Sequence, residues 1–207
     1  MNLPPVCIYG AGGHAKVIAN ILKSNNISLA AHFDDDTSVV ESSNEAIRPG
    51  IGILGEDFVP PEHPFVLAIG TNRVREKLSG LLNVQFSTVI DGTSVIAQDV
   101  SVGEGSVVFA LAVIQPDVQI GRHVIVNTKA SIDHDSVIGD FVHVAPGATL
   151  CGGVVVQEGA HIGAGATIIE GVKIGKWATI GAGSVVIRDV PDFLTVAGCP
   201  AKPLPAH

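Results

Sequence analysis

The feature that most constrains the fold is a six-residue period that runs through the second half of the chain. Every sixth residue from Ile90 to Val186 is Ile, Val or Leu. The seventeen positions are Ile90, Ile96, Val102, Val108, Ile114, Ile120, Val126, Ile132, Ile138, Val144, Leu150, Val156, Ile162, Ile168, Ile174, Ile180 and Val186. This period matches neither an α-helix nor a simple alternating strand. It describes short strands separated by regular corners.

The residues between the aliphatic positions indicate how the chain turns those corners. The fourth residue after each aliphatic is small or Val, as at Ala112, Ala130 and Ala148. Gly often follows the aliphatic and relieves the turn. Hexapeptide repeats of this kind are typical of a parallel β-helix whose aliphatic side chains point inward. Three hexapeptides form one triangular coil of 18 residues, so the repeats predict between five and six coils.

The N-terminal part of the chain has a different pattern, in which strand-like and helix-like segments alternate. Strands are predicted at 6–9, 28–33, 65–69 and 84–86, helices at 16–22 and 72–82, and a loop or short irregular stretch at 37–50. Such alternation is typical of βαβ units with a parallel sheet. We therefore predict an α/β lobe at 1–86, a β-helix at 87–191 and a C-terminal tail at 192–207.

Composition and charge argue against several classes of protein. The formal net charge is -8, with 12 Lys and Arg against 20 Asp and Glu, so a nucleic-acid partner is not expected. The longest apolar run covers only residues 107–114, whereas a spanning helix needs about 18–20 residues, so we expect no membrane partner. The N-terminus has no basic segment typical of a signal peptide, and the three cysteines show no CxxC spacing. These features favour a reduced, cytoplasmic protein.

A glycine-rich turn follows the first predicted strand. Gly10, Gly12 and Gly13 would let backbone N–H groups approach a phosphate at the start of the next helix. Asp34 lies where a ribose-binding acid would fall. A single nucleotide fits best, because the lobe is too short for a full six-stranded dinucleotide fold. A dinucleotide and a tight turn without ligand remain alternatives.

The segment Asp133-His134-Asp135 is the strongest candidate for catalysis within the repeats. A carboxylate bonded to one imidazole nitrogen fixes the tautomer and makes the other nitrogen a base near neutral pH. The triplet alone is also compatible with an exposed histidine among solvated acids.

Three histidines have an informative spacing. His143 and His161 are one coil apart, so they should stack in one column. His134 and His143 are half a coil apart and should lie on opposite sides of their own prism. A pocket that uses both histidines would therefore need two chains.

Other chemistries have weaker support. The histidines of the repeats show no close pair with the spacing of a zinc site, so no metal is expected. Cys151 follows a repeat aliphatic and is expected to pack or line a corner, with no evident Cys–His pairing. Trp177 is expected to pack on the exterior of the prism.

Three motifs together resemble a known family. They are YGAGGHA at residues 9–15, SIDHDSVIGDFVHVAPGA at 131–148 and VAGCPAK at 196–202. In this combination the chain resembles nucleotide-sugar acetyltransferases, the group of the bacillosamine-pathway UDP-4-amino-sugar N-acetyltransferases, the perosamine N-acetyltransferases and the sialic-acid O-acetyltransferase-like proteins. The resemblance implies a Rossmann-like lobe on a left-handed β-helix, a homotrimer, acetyl-CoA between adjacent prisms and a nucleotide sugar on the lobe.

The resemblance also assigns residues of the prism. His134 matches the catalytic base, and Asp135 matches the acid that follows it, which is usually Glu in the bacillosamine enzymes. His143 matches a histidine that contacts acetyl-CoA. Ala164 and Ala182 match backbone positions that line the pantetheine cleft.

The residues that match the nucleotide-sugar pocket lie on the lobe. They are Gly12, Gly13, His14, Asp34, Asp35 and Gly70. Some relatives have Ser in place of Gly12, which leaves the nucleotide base open.

The resemblance implies direct acetyl transfer to a sugar amine, with His134 as general base, in a pathway of surface-polysaccharide synthesis. Two alternatives remain open. One is an O-acetyltransferase that acts on a sugar hydroxyl, and the other is a non-catalytic nucleotide-sugar-binding protein.

Overall fold

A computed structural model describes residues 4–42 and 46–205 and comprises an α/β lobe followed by a β-helix. The elements of the lobe are β1 (Val6–Tyr9), α1 (Gly13–Ser24), β2 (Leu29–Asp34), α2 (Thr37–Ser42), β3 (Ile47–Pro49), α3 (Ile51–Leu54), a 3-10 turn (Gly55–Asp57), β4 (Phe65–Leu67) and α4 (Asn72–Leu81). Its four strands form a parallel sheet in the order β3-β2-β1-β4. Within the described ranges, no helix is long and apolar enough to cross a lipid bilayer.

Two expectations for the lobe were wrong. The segment 37–50, predicted as a loop, contains α2 and the edge strand β3, because β3 pairs in parallel with the end of β2. The predicted strand at 84–86 reduces to one bridge between Phe86 and Phe65, since the chain leaves the sheet there for the first coil. The other predicted strands and helices are confirmed to within a few residues. The domain boundaries after residues 86 and 191 stay predictions.

The β-helix has three flat faces, each a parallel ladder of two-residue strands. Face 1 contains β5 (Val89–Ile90), β8 (Val107–Val108), β11 (Ile125–Val126), β14 (His143–Val144), β17 (His161–Ile162), β20 (Thr179–Ile180) and, at its end, β22 (Thr195–Ala197) and the antiparallel β23 (Lys202–Pro203). Face 2 contains β6 (Val95–Ile96), β9 (Val113–Ile114), β12 (Ser131–Ile132), β15 (Thr149–Leu150), β18 (Thr167–Ile168) and β21 (Val185–Val186). Face 3 contains β7 (Ser101–Val102), β10 (Gln119–Ile120), β13 (Val137–Ile138), β16 (Val155–Val156) and β19 (Lys173–Ile174).

The repeat aliphatics form the core of the prism, as predicted. From Val108 to Ile180 every one of them is buried, and the small residues such as Ala112 and Ala130 are fully inaccessible. Full burial of a Val, Leu or Ile side chain stabilises a fold by about 1.5–3 kcal/mol. The column of aliphatics is therefore a principal source of stability. Strands of neighbouring coils pair at a spacing of 18 residues, as His143 does with His161 and Thr149 with Thr167.

The lobe packs on face 1 through α1. Ile18 and Ile21 of this helix share one buried cluster with Val107 and Ile125, whose side chains lie on the outside of face 1. The helix is thus held between the lobe sheet and the prism. This packing brings the start of α1 next to the histidines of face 1, where the ring centroids of His14 and His143 are 6.4 Å apart.

A fully buried histidine occupies the corner between face 3 and face 1. The ring of His123 stacks on Phe141 with centroids 5.3 Å apart and meets Phe86 edge-on at 4.5 Å. Among the described residues neither ring nitrogen has a hydrogen-bond partner. Burial lowers the pKa of His123 to about 4, so the ring is neutral in the folded protein near neutral pH.

This histidine predicts a loss of stability on acidification. The unfolded chain binds a proton near the ordinary histidine pKa of about 6.5, whereas folded His123 does so only near 4. The contribution of His123 to the free energy of unfolding is therefore fully present above pH 6.5. It decreases as the pH falls, by roughly 2 kcal/mol at pH 5. Urea unfolding of the wild type and of His123→Phe at pH 7.5 and 5 measures the effect. The variant should lose less stability between the two pH values, and an equal loss in both proteins would contradict the assignment.

Candidate active site

The turn between β1 and α1 has the geometry of an anion site. Gly10 has a φ of +105°, and a Cβ there would lie 2.9 Å from the carbonyl oxygen of Ala68, so only glycine fits without strain. Gly12 caps α1 and Gly13 begins it, both are exposed, and no side chain caps the helix. The first N–H groups and the positive end of the helix dipole therefore remain available to a phosphate.

Two carboxylates organise the adjacent ends of the strands. Asp34 accepts a hydrogen bond from the backbone N–H of Ala11 at 2.5 Å, which ties it to the glycine-rich turn. Asp35 accepts from the Tyr9 hydroxyl at 2.5 Å and from the N–H of Gly52 at 2.8 Å. Burial and this contact with Asp35 raise the pKa of Tyr9, so the phenol remains a proton donor.

These side chains border a cavity of about 540 Å³. Its lining consists of Tyr9, Gly10, Asp34, Asp35, Asp36, Thr37, Ile69, Val74 and Leu78. A neighbouring cavity of about 530 Å³ shares Asp35 with it and extends along α3 and α4. Both are in the size range of small-molecule sites. Of the predicted lobe residues, Gly10, Asp34 and Asp35 are in the lining, while Gly12, Gly13, His14 and Gly70 lie outside it.

A column of histidines begins where the lobe meets face 1. The strands of His143 and His161 pair residue to residue, and their ring centroids are 4.9 Å apart, which confirms the predicted stack. His14 reaches this column from α1 and also contacts Phe109, at 4.8 Å between centroids. The structure therefore places His14 with the prism histidines rather than in the carboxylate-lined cavity.

Burial keeps the column uncharged. It lowers the pKa of His143 to about 3 and that of His14 to about 4, and it also lowers the pKa of His161. The Asn127 amide donates to Nε2 of His143 at 3.1 Å, while the backbone of Gly70 interacts with the same ring and opposes the shift. The neutral imidazoles of the column can give or accept hydrogen bonds but carry no charge near neutral pH.

His134 lies in the opposite environment, on the corner between face 2 and face 3. Its side chain is 60% exposed, and Nδ1 bonds to Oδ2 of Asp135 at 2.7 Å. The ring lies over Gly152, where a Cβ would approach Cε1 of His134 to 2.8 Å. The hydrogen bond to Asp135, followed by the charge of Asp133, raises the pKa of His134. Because Nδ1 is engaged with the carboxylate, Nε2 is the nitrogen that can serve as a base.

The three faces set the relative positions of these groups. The corner between faces 2 and 3 lies opposite face 1, so one prism carries His134 and His143 on opposite sides, as predicted. Ala164 and Ala182 are exposed on the corner between faces 1 and 2, and the N–H of Gly183 donates to the carbonyl of Ala164 at 2.8 Å. They stack in consecutive coils, beside face 1.

Comparison with known proteins shows which protein families the two parts of the chain match. Residues 5–81 match the PglD N-terminal domain, and residues 135–169 and 153–188 match the bacterial transferase hexapeptide. The UDP-N-acetylbacillosamine N-acetyltransferase of Bacillus subtilis is 42% identical over 110 residues, which is 51% of this chain and 51% of that protein. The match thus spans about half the length of this curated relative.

Two solved structures match along almost the whole chain. A mutant of perosamine N-acetyltransferase from Caulobacter crescentus, in complex with CoA and GDP-perosamine, is 34% identical, with a TM-score of 0.86 and coverage of 98% of this chain and 97% of that chain. The acetyltransferase domain of PglB from Neisseria gonorrhoeae, in complex with acetyl coenzyme A, is 34% identical, with a TM-score of 0.86 and coverage of 99% and 100%.

The chain belongs to the family of hexapeptide-repeat sugar N-acetyltransferases. This membership confirms the resemblance and the left-handed sense of the β-helix.

Sequence reasoning missed four residues around the two sites of this sugar N-acetyltransferase. Tyr9 was recognised only as the end of a strand, although its hydroxyl holds Asp35. Asn127 supports His143 from the preceding coil, and the 18-residue period could have identified it as a near neighbour. Asn72 and Arg75 reach from α4 to the prism, a contact between elements for which no sequence period exists.

The environment of His134 gives a graded prediction. Asp135→Asn should lower the pKa of His134 toward its ordinary value, because the largest cause of the shift is removed. Asp133→Asn should lower it by a smaller amount, since that residue acts through charge without a bond to the ring. Titration of the imidazole protons by NMR measures both values. A larger effect from Asp133 than from Asp135 would show that the observed hydrogen bond does not determine the basicity.

Proposed function

We propose that this chain transfers the acetyl group of acetyl-CoA to the amino group of a nucleotide-linked amino sugar. The observation that carries the proposal is the exposed His134–Asp135 pair, a general base with a fixed tautomer on an open corner of the prism. Two relatives support the choice of substrates, because one structure holds CoA with GDP-perosamine and the other holds acetyl coenzyme A.

The chemistry at His134 requires no covalent enzyme intermediate. The amine nitrogen attacks the thioester carbonyl carbon, and the C–N bond forms as the C–S bond breaks. Nε2 of His134 removes the proton that the nitrogen loses and passes it to the departing CoA thiolate. Asp135 holds the ring and stabilises the imidazolium that forms between these two steps.

The two sides of the site come from different prisms in this proposal. His134 lies opposite face 1, so it approaches the histidine column of a neighbouring chain rather than its own. In a homotrimer, each cleft would combine His134 of one chain with His143, Ala164 and Ala182 of the next. The neutral His143 contacts acetyl-CoA there, beside the pantetheine arm.

The lobe holds the nucleotide part of the acceptor. Its diphosphate fits the open N-terminus of α1 at Gly12 and Gly13, where free N–H groups and the helix dipole favour negative charge. The nucleoside fits the adjacent cavity, in which Asp34 and Asp35 can accept hydrogen bonds from ribose hydroxyls or base N–H groups. The sugar then extends toward His14 and Gly70, at the top of the histidine column.

Removal of the base tests the mechanism. His134→Asn should decrease kcat by about 10²- to 10⁴-fold, the usual contribution of a positioned general base. Release of free CoA thiol, measured with GDP-, UDP- and dTDP-linked 4-amino sugars, gives the rate and identifies the preferred nucleotide. Turnover near the wild-type level in His134→Asn would contradict the assignment.

A matched pair of glycine variants separates the position of His134 from its chemistry. Gly152→Ala places a methyl group against the His134 ring and should decrease kcat, because the base is displaced while its chemical identity is kept. Gly80→Ala serves as the control, since a Cβ at that position meets nothing within 4 Å. Equal activity of the two variants would show that the position of the ring does not matter.

Complementation tests whether the site is shared between chains. His134→Ala and His143→Ala should each be inactive alone. After denaturation and joint refolding, mixed trimers would contain some clefts with both native histidines, and activity should recover to about a quarter of the wild-type value. No recovery, with trimers confirmed by light scattering, would place both histidines in one chain's own site.

A further inference from the structure

Arg75 on α4 is a buried cation without a carboxylate partner among the residues that the structure describes. It is 1% exposed, and burial lowers its pKa to about 9, which still leaves it charged near neutral pH. A buried charge is costly unless hydrogen bonds compensate it. The position of Arg75 is therefore explained by what its guanidinium contacts.

The guanidinium joins the lobe to the prism through carbonyl oxygens. On the lobe side, Nη1 donates to the carbonyl of Ile69 at 2.9 Å. On the prism side, Nε donates to His123 at 2.8 Å and Nη2 to Phe141 at 2.7 Å. Nη2 also donates to Oδ1 of Asn72 at 3.0 Å, so the two side chains act as one unit.

Asn72 extends the same set of contacts by one coil. Its amide donates to the carbonyls of Gly159 at 3.0 Å and Ala160 at 3.1 Å. His123, Phe141 and Gly159 are equivalent corner residues of three consecutive coils, and all three have positive φ. The ladder between coils uses the carbonyl of the residue before each of them, as in the bond from Phe141 N–H to Arg122. The corner carbonyls themselves are thus left for α4.

These contacts surround the histidine column. Phe141 lies two residues before His143, and Gly159 lies two residues before His161. Ile69 immediately precedes Gly70, whose backbone interacts with the His143 ring. The same two side chains therefore hold the coils that carry the histidines and the lobe segment that lies over them.

We propose that Asn72 and Arg75 form a clamp that fixes the height of the lobe along the prism and so positions the lobe-bound amine for transfer. This inference rests on the proposed function. Neighbouring coils are about 4.8 Å apart, whereas reacting atoms must approach to about 3–3.5 Å, and a misplacement of about 1 Å can cost 10²-fold in rate. A lobe that slides even part of one coil would leave the sugar amine out of reach of the thioester.

The charge of Arg75 has a second consequence for the same site. It acts on His14, His143 and His161 by lowering the pKa of each, in addition to the effect of burial. A cation at this place also disfavours an ammonium group nearby, and only the neutral amine can attack the thioester. Arg75 is a positioning residue by this account, since it acts through the histidines and the lobe.

Two variants separate the geometry of the clamp from its charge. Arg75→Lys keeps the charge and loses the planar fork, whereas Arg75→Met loses both. Arg122→Met is the control, because it removes an exposed cation that pairs with Glu104 on the same corner of the prism. Kinetics with the preferred nucleotide sugar, calorimetric titration with GDP, UDP and CoA, and thermal unfolding are measured for all three.

Both Arg75 variants should lose at least about tenfold in kcat, while the affinities for the preferred nucleotide and for CoA stay within about threefold of wild type. Arg75→Met should also shift the acidic limb of the pH–rate profile to higher pH, and Arg75→Lys should leave that limb in place. The control should match wild type throughout. Wild-type kcat in a folded Arg75 variant would overturn the proposal, as would a fall in melting temperature with kcat unchanged.

Hydrogen exchange gives a readout that does not depend on activity. Amides of residues 69–75 should exchange at least about tenfold faster in Arg75→Lys, because the lobe loosens locally, with unchanged exchange in residues 149–156, which include β15 and β16 on faces 2 and 3. Unchanged exchange in 69–75 would overturn the clamp. If the wild type transfers no acetyl group to any amino sugar but loosening occurs, the proposed function fails and the clamp remains.

Discussion

The parallel pairing of prism strands 18 residues apart is the constraint on which the rest of the structure depends. This register places every residue directly over its equivalent in the preceding coil, as His161 lies against His143. A residue type that suits one position of a coil therefore also suits that position in the next coil. Equivalent residues form columns, such as the inward aliphatics and the corner residues in a left-handed conformation. The site uses these columns, because each functional group belongs to a corner or face whose position is set by the period.

The same period places two kinds of histidine in opposite electrostatic states. His134 is on an open corner, where Asp135 bonds to it and raises its pKa, so it can accept a proton near neutral pH. His143 is on a face covered by the lobe, where burial lowers its pKa to about 3. One imidazole is thus fitted to exchange protons and the other to remain neutral. The carboxylates beside one ring and the burial of the other decide which chemistry each histidine can perform.

Much of the prism could be predicted because its contacts are periodic in the sequence. The stack of His143 and His161, the burial of the aliphatics and the opposite positions of His134 and His143 all follow from counting residues. The edge strand β3 could not be predicted, because its polar segment becomes a strand only through pairing with β2. The contacts of Arg75 were also inaccessible, since they join α4 to coils 48 and 66 residues away in the sequence.

The docking of the lobe has a physical origin in the corners of the prism. Each coil satisfies its own ladder and leaves the carbonyl of the left-handed corner residue outside it, which creates a regular row of acceptors along one edge. Apolar packing of α1 on Val107 and Ile125 draws the lobe to the coils whose outward residues on face 1 are apolar. Packing of this kind has little directionality, whereas the hydrogen bonds from Asn72 and Arg75 to successive carbonyls are directional. The polar contacts therefore fix within narrow limits a height that apolar packing sets only coarsely.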